Sequence, residues 1–217
     1  MVRDSLLSRE IDKLKEQLLL IGGKVERALS DAVKSVEERD TGLAEEVIDN
    51  DGQIDKMEVD LEEECLKILA LYQPVATDLR FIITVLKVNN DLERIGDLAA
   101  NIAEYGLMLE SGREVSFSWD FATMAGKAQQ MLTDSLDALV NRSSDMAHRV
   151  RVADDDIDDL HREMYSRVEV KMKGRPELIG VYIKHIGLSR CLERIGDLAT
   201  NISEDVIYLV TGEIVRH

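Results

Sequence analysis

The chain has 217 residues, a formal net charge of −16, 45% hydrophobic residues, 4% aromatics and two prolines. A surface this acidic repels nucleic-acid phosphates and anionic lipid, which excludes either as the main partner. The apolar content is enough for a core, and straight-chain residues that lose little freedom in a helix dominate it, so the composition predicts an all-α protein.

The first helix is read from Ile11, Leu14, Leu18, Ile21, Val25, Leu29 and Ala32, which follow three-and-four spacing. Asp40-Thr41-Gly42 interrupts that pattern, and either Asp40 or Thr41 suits a helix cap. A second helix is predicted from about Leu43 to Leu71. Pro74 then opens a third, at a position where a missing N–H is harmless, and the apolar stripe continues through Leu79, Ile82, Ile83, Leu86, Ile95, Leu98 and Ile102 to about Leu109. Residues 111–118 form a short linker. The second unit repeats the plan. One helix runs from about Trp119 to Val140, with Met124, Ala128, Met131 and Leu139 inward; one runs from Asp145 to Met172; Gly174 stops it and Pro176 starts the last, which reaches about Val210. No run is long and apolar enough for a membrane span, and the polar N-terminal residues do not resemble a signal peptide.

The chain repeats itself. Residues 92–104 read LERIGDLAANIAE and residues 192–204 read LERIGDLATNISE, with eleven of thirteen positions identical at an offset of 100. Upstream, Asp51-x-x-Ile54-Asp55 matches Asp154-x-x-Ile157-Asp158 at an offset of 103, and Pro74 matches Pro176 at 102. The expected architecture is therefore two tandem three-helix bundles related by internal duplication, six long helices in all, with one repeat over residues 1–112 and the other over 113–217. Long helices joined by short turns lie antiparallel. A spectrin-like rod is the alternative arrangement.

The repeated motif places Glu93, Asp97 and Asn101, and their copies Glu193, Asp197 and Asn201, four residues apart on one helical face. Carboxylates at that spacing repel each other, which calls for a cation, and hard metal ions take carboxylate and amide oxygens. The preceding antiparallel helix supports this. Asp55 and Asp51 lie 18 and 22 residues before Gln73, while Glu93 and Asp97 lie 20 and 24 after it. At about 1.5 Å of rise per residue the four acids are level. Around Gly174, Asp158 and Asp154 match Glu193 and Asp197 in the same way. Each half is expected to hold one cluster of acids between neighbouring helices. The competing reading is that these acids are solvated charges that serve solubility alone.

Other features carry less. Gly96 and Gly196 inside the motif helix point to tight helix packing or, secondarily, to close approach of a ligand. Asp158-x-x-His161 has a metal-site spacing, but the first unit has no histidine, so His161 reads as an ordinary polar residue and a carboxylate-bridged metalloenzyme is the weaker alternative. No phosphate loop or nucleophile elbow occurs, and no basic cluster suits direct binding of phosphate. Cys65 and Cys191 read as reduced, buried thiols of a cytoplasmic protein.

The two copies of Glu-Arg-Ile-Gly-Asp-x-x-x-Asn-Ile resemble the signature of the PhoU family, and Gln73-Pro74-Val75-Ala76-Thr77-Asp78-Leu79-Arg80 is similar to that family's turn into its third helix. The likeness covers nearly the whole chain. It implies two bundles related by a pseudo-twofold axis. It also implies metal ions, iron or zinc, possibly multinuclear, on Asp51, Asp55, Glu93, Asp97 and Asn101 and on Asp154, Asp158, Glu193, Asp197 and Asn201. The function it implies is negative regulation of phosphate uptake and phosphate-starvation signalling, as a non-enzymatic adaptor and homodimer that connects the ATPase of the phosphate ABC transporter with a sensor histidine kinase. One departure is that Asp78 and Arg80 are replaced by Leu178 and Gly180 in the second half.

Overall fold

The computed structural model describes residues 2–110 and 119–216. The described residues form six α-helices and no strand: α1 Val2–Glu38, α2 Thr41–Tyr72, α3 Ala76–Glu110, α4 Phe121–Asn141, α5 Ser144–Gly174 and α6 Ile179–Thr211. The expected linker, and with it the boundary between residues 112 and 113, lies outside the described residues.

Short polar caps set the helix ends. Asp40 is the α2 cap and accepts from the Leu43 N–H at 3.0 Å. Asp120 and Ser143 cap α4 and α5 in the same way, so each satisfies an amide that the helix leaves open. Gln73 closes α2 in the left-handed region at φ 49°. Pro74 does not open α3, as its spacing predicted. It is buried in the turn, and the helix begins two residues later, at Ala76. Pro176 instead starts a 3-10 turn, Pro176–Leu178, that leads into α6.

The inner stripe of α1, from Ile11 through Leu14, Leu18, Ile21, Val25 and Leu29 to Ala32, is buried throughout, as are Met124, Ala128, Met131 and Leu139 of α4. On α3 the stripe is narrower than the sequence implied, since Leu79 and Ile83 are exposed while Ile82, Ile95, Leu98 and Ile102 are not. In each half three helices pack mutually, α1 with α2 and α3, and α4 with α5 and α6.

The halves do not stack end to end as a rod. They lie side by side, α3 packs along α6, α1 meets α4, and a single apolar core runs through both. A small second cluster, Met164, Val168, Leu178 and Tyr182, fills the far end of the second bundle. The α3–α6 pairing is antiparallel. Arg80 lies beside Gly212, Lys87 bonds Asp205, Tyr105 covers Gly187, and Lys184 donates to the Met108 carbonyl. These contacts advance on α3 as they retreat on α6 by equal steps, which sets Gly96 level with Gly196. The two repeated motifs therefore lie at mid-seam, and each faces its own neighbouring helix.

Candidate metal centre

Asp51 and Asp55 lie one turn apart on α2, with Ile54 between them buried at 4% exposure. Ile54 anchors that face to α3, and Gly96 lets it come close. A methyl on Gly96 would meet the Ile54 side chain at 3.1 Å and the Asp51 carboxylate at 3.6 Å. The close fit brings Asp97 of α3 to the α2 acids. One oxygen from each of Asp51, Asp55 and Asp97 lies within 4.8 Å of the others. A cation with oxygens at about 2.0–2.6 Å spans such a triangle, so these residues fit a bound ion.

The electrostatics agree with that geometry. Burial, followed by the charges of Asp55 and Asp97, pushes the Asp51 carboxyl up to about 6. Glu93 is raised by burial and then by Asp97, Asp55, Glu58 and Asp51. Asp97 is raised by burial and by Asp55. Like charges, with Asp51 half-buried and Asp55 and Asp97 exposed, converge on one spot, and a cation there relieves their repulsion. Arg94 does not supply it. Its guanidinium turns toward Asp91, 3.8 Å away on the same helix.

Sequence reasoning missed Glu58. It extends the Asp51–Asp55 face by one further turn, is half-buried, and is raised by burial and by Glu62 and Asp55. Its backbone carbonyl accepts from Asn89 Nδ2 at 2.9 Å. The spacing Asp51, Asp55, Glu58 was the available signal, since i, i+4 and i+7 share a helix face.

The second half places its acids similarly but less tightly. Asp154 is buried against Gly196, whose added methyl would meet its carboxylate at 3.1 Å. Glu193 is raised by burial and by Asp197, Asp158 and Asp154, while Arg190 lowers it. Among the described residues these acids do not bring three oxygens within 4.8 Å of one another. Asn101 and Asn201 are both exposed, and Asn201 lines the cleft between α3 and α6.

His161 holds the place that Glu58 has in the first half, at the offset of 103. Its Nδ1 lies 2.7 Å from the Ser189 hydroxyl, and burial lowers its pKa against the pull of Asp158. Ser189 is fully buried and also meets the Met124 sulfur at 3.5 Å, so no substrate can reach this Ser–His pair. His185 accepts from Trp119 Nε1 at 3.1 Å, and burial drives its pKa down to about 4. Both cysteines are buried, and burial pushes their thiols up to about 12 and about 11, which makes them inert.

With the fold and this cluster in place, comparison with known proteins is direct. The PhoU domain model matches residues 18–106 and again 121–206. A phosphate-specific transport system accessory protein PhoU homolog from Pseudomonas putida is 41% identical over 209 residues, covering 96% of this chain and 82% of that protein. The crystal structure of PhoU from Pseudomonas aeruginosa superposes with a TM-score of 0.92 at 37% identity, over 95% of this chain and 99% of that one. The phosphate transport system regulatory protein PhoU from Streptococcus pneumoniae gives a TM-score of 0.86 at 28% identity, over 97% and 100% of the two chains. Among the described residues no helix is long and apolar enough to cross a membrane. The two matched repeats, the identity along nearly the full length and the shared fold mean that the chain belongs to the PhoU family.

Proposed function

We propose that this chain is a cytoplasmic, non-enzymatic negative regulator of phosphate uptake and phosphate-starvation signalling that works as a metal-loaded adaptor. Its partners are the ATPase of a phosphate ABC transporter and a sensor histidine kinase, and it acts as a homodimer. The names of its relatives, accessory and regulatory proteins of phosphate transport systems, support the setting. The observation that carries the metal is the convergence of Asp51, Asp55 and Asp97 oxygens within 4.8 Å. Glu93 and Glu58 border that group, and all-carboxylate donors favour a hard ion. Bound metal neutralises the inter-helix repulsion and stiffens the α2–α3 face, which gives a partner a rigid surface. The second-half cluster, Asp154, Asp158, Glu193 and Asp197, takes a further ion more weakly.

Elemental analysis after incubation with iron, zinc or manganese and desalting tests the metal, and protein that remains metal-free overturns it. Co-purification with the transporter ATPase and with the kinase domain, using metal-loaded and stripped protein, tests the adaptor. The proposal requires retention of both partners by the loaded form, and loss of either one refutes that part.

A further inference from the structure

Helix α2 buries one face against α1 and α3 and leaves the opposite face without a neighbour among the described residues. On that outer face Gly52, Val59 and Leu66 recur every seven residues, and Ala70 follows one turn later. Val59 is 49% and Leu66 53% exposed. Glu62 and Glu63 lie between them, both exposed, and neither forms an ion pair among the described residues. Of the two lysines of α2, Lys67 is held by Glu64 at 3.0 Å and Lys56 borders the stripe.

The duplication supplies an internal control. Helix α5 is the copy of α2, and at the offset of 103 it has Arg162, Glu169 and Lys173 where α2 has Val59, Leu66 and Ala70. Each of these charges is neutralised within α5: Arg162 by Asp159 at 2.8 Å, and Lys173 and Glu169 by each other at 2.6 Å. Tyr165 takes the place of Glu62 and sets its ring edge-on to His161. Overall α5 carries eight acids against six basic residues, and α2 carries ten against two. The same position in the fold thus accepts a self-neutralised, solvated face. Solubility does not explain why α2 instead exposes an apolar stripe among acids that repel one another.

We propose that the outer face of α2 seats a cationic amphipathic helix of a partner protein, its apolar side on Val59 and Leu66 and its lysines or arginines on Glu62 and Glu63. Charge selects the occupant, because the unpaired carboxylates repel nucleic acid, anionic lipid and a second copy of this acidic chain alike. Spacing selects its form, because apolar side chains seven apart meet those of a second helix laid along the first. The proposal shares with the adaptor reading only the existence of a protein partner. It does not depend on metal, since none of these four residues is a corner of the Asp51–Asp55–Asp97 triangle.

Fluorescence anisotropy of the full chain with a labelled peptide tests this at about 0.15 M salt, where loose charge attraction is screened. The probe is a Lys/Leu peptide of about 18 residues, five helical turns, with its leucines on one face. A scrambled peptide of the same composition is the control. The patterned peptide should bind at least about 10-fold more tightly than the scrambled one. Val59→Ser with Leu66→Ser should remove most of that preference, a loss matching about one apolar side chain left in water. Glu62→Gln with Glu63→Gln should weaken both peptides and flatten their salt dependence. Glu163→Gln with Glu169→Gln, at exposed positions on α5, should change neither. All of these side chains are exposed, and an unchanged Tm confirms that each variant folds. Equal affinity for the two peptides, indifference to both α2 variants, or an equal loss from the α5 variant overturns the proposal. Co-purification of partners without this peptide preference refutes the α2 face alone, whereas the preference without co-purification upholds the face and refutes the adaptor.

Discussion

The phenol ring of Tyr105 on α3 lies directly on the backbone of Gly187 on α6, so closely that a methyl at 187 would overlap the ring. This contact belongs to the seam that joins the two halves, and it is possible only because residue 187 has no side chain. Gly187→Ala therefore forces Tyr105 out of place. Overpacking of this kind costs about 1–3 kcal/mol, which for a chain of this size lowers Tm by roughly 2–4 °C per kcal/mol. Gly180→Ala is the matched control. A methyl there meets nothing within 4 Å, so thermal denaturation should show no loss and a small gain from helix propensity.

Asp40 closes the start of α2 by accepting from the Leu43 N–H at 3.0 Å. Asp40→Ala leaves that amide without its partner and should reduce stability by about 1 kcal/mol. Asp40→Asn keeps an acceptor and should recover most of it in urea denaturation.

The metal-free protein should lose stability as pH rises from about 4 to about 6. Asp51 and Asp91 each sit near 6 when folded, chiefly through burial, against about 3.9 in an unfolded chain. Between those values the folded state holds protons that the unfolded state has released, so folding weakens as pH climbs and levels off above the folded pKa. His185, held near 4 by burial, and His161, lowered in the same direction, act oppositely. The difference between variants isolates the carboxyls. Asp51→Asn combined with Asp91→Asn should flatten the fall seen in urea midpoints, and an unchanged pH profile contradicts the assignment.

Metal affinity should separate the two halves. Asp97→Asn removes a corner of the Asp51–Asp55–Asp97 triangle and is expected to weaken the tighter of two binding events about 10-fold or more, while Asp197→Asn affects the weaker one. Glu58→Gln should produce a smaller loss at the first site, because Glu58 borders the Asp51–Asp55–Asp97 triangle without forming one of its corners. Calorimetry with Mn²⁺ on stripped protein reads both events.

Asp97 and Asp51 are separated by forty-six positions, yet their convergence was legible in the sequence. Helical rise is constant, so counting from the Gln73 turn fixes which residues of antiparallel neighbours stand level. The duplication, the six helices and a cap at Asp40 or Thr41 were legible as well, and the structure chose Asp40. Pro74 was misplaced because a proline fits the turn before a helix as well as its first turn, and the sequence does not distinguish them.

Height along a helix follows from counting, but distance across helices does not. The first-half acids come within 4.8 Å while the second-half ones do not, although the neighbouring helix approaches Gly96 and Gly196 equally closely, with a first contact at 3.1 Å in both halves. Glu58 and the Lys87–Asp205 pair gain meaning only from which faces the seam covers, and periodicity within single helices does not encode the seam. The sequence by itself determined helices, repeat and level because those are local or one-dimensional quantities. Tertiary structure alone decided that α3 would lie along α6, with a closed aromatic contact at one end and an open charged cleft at the other, because that choice rests on side-chain volumes meeting across helices far apart in the chain.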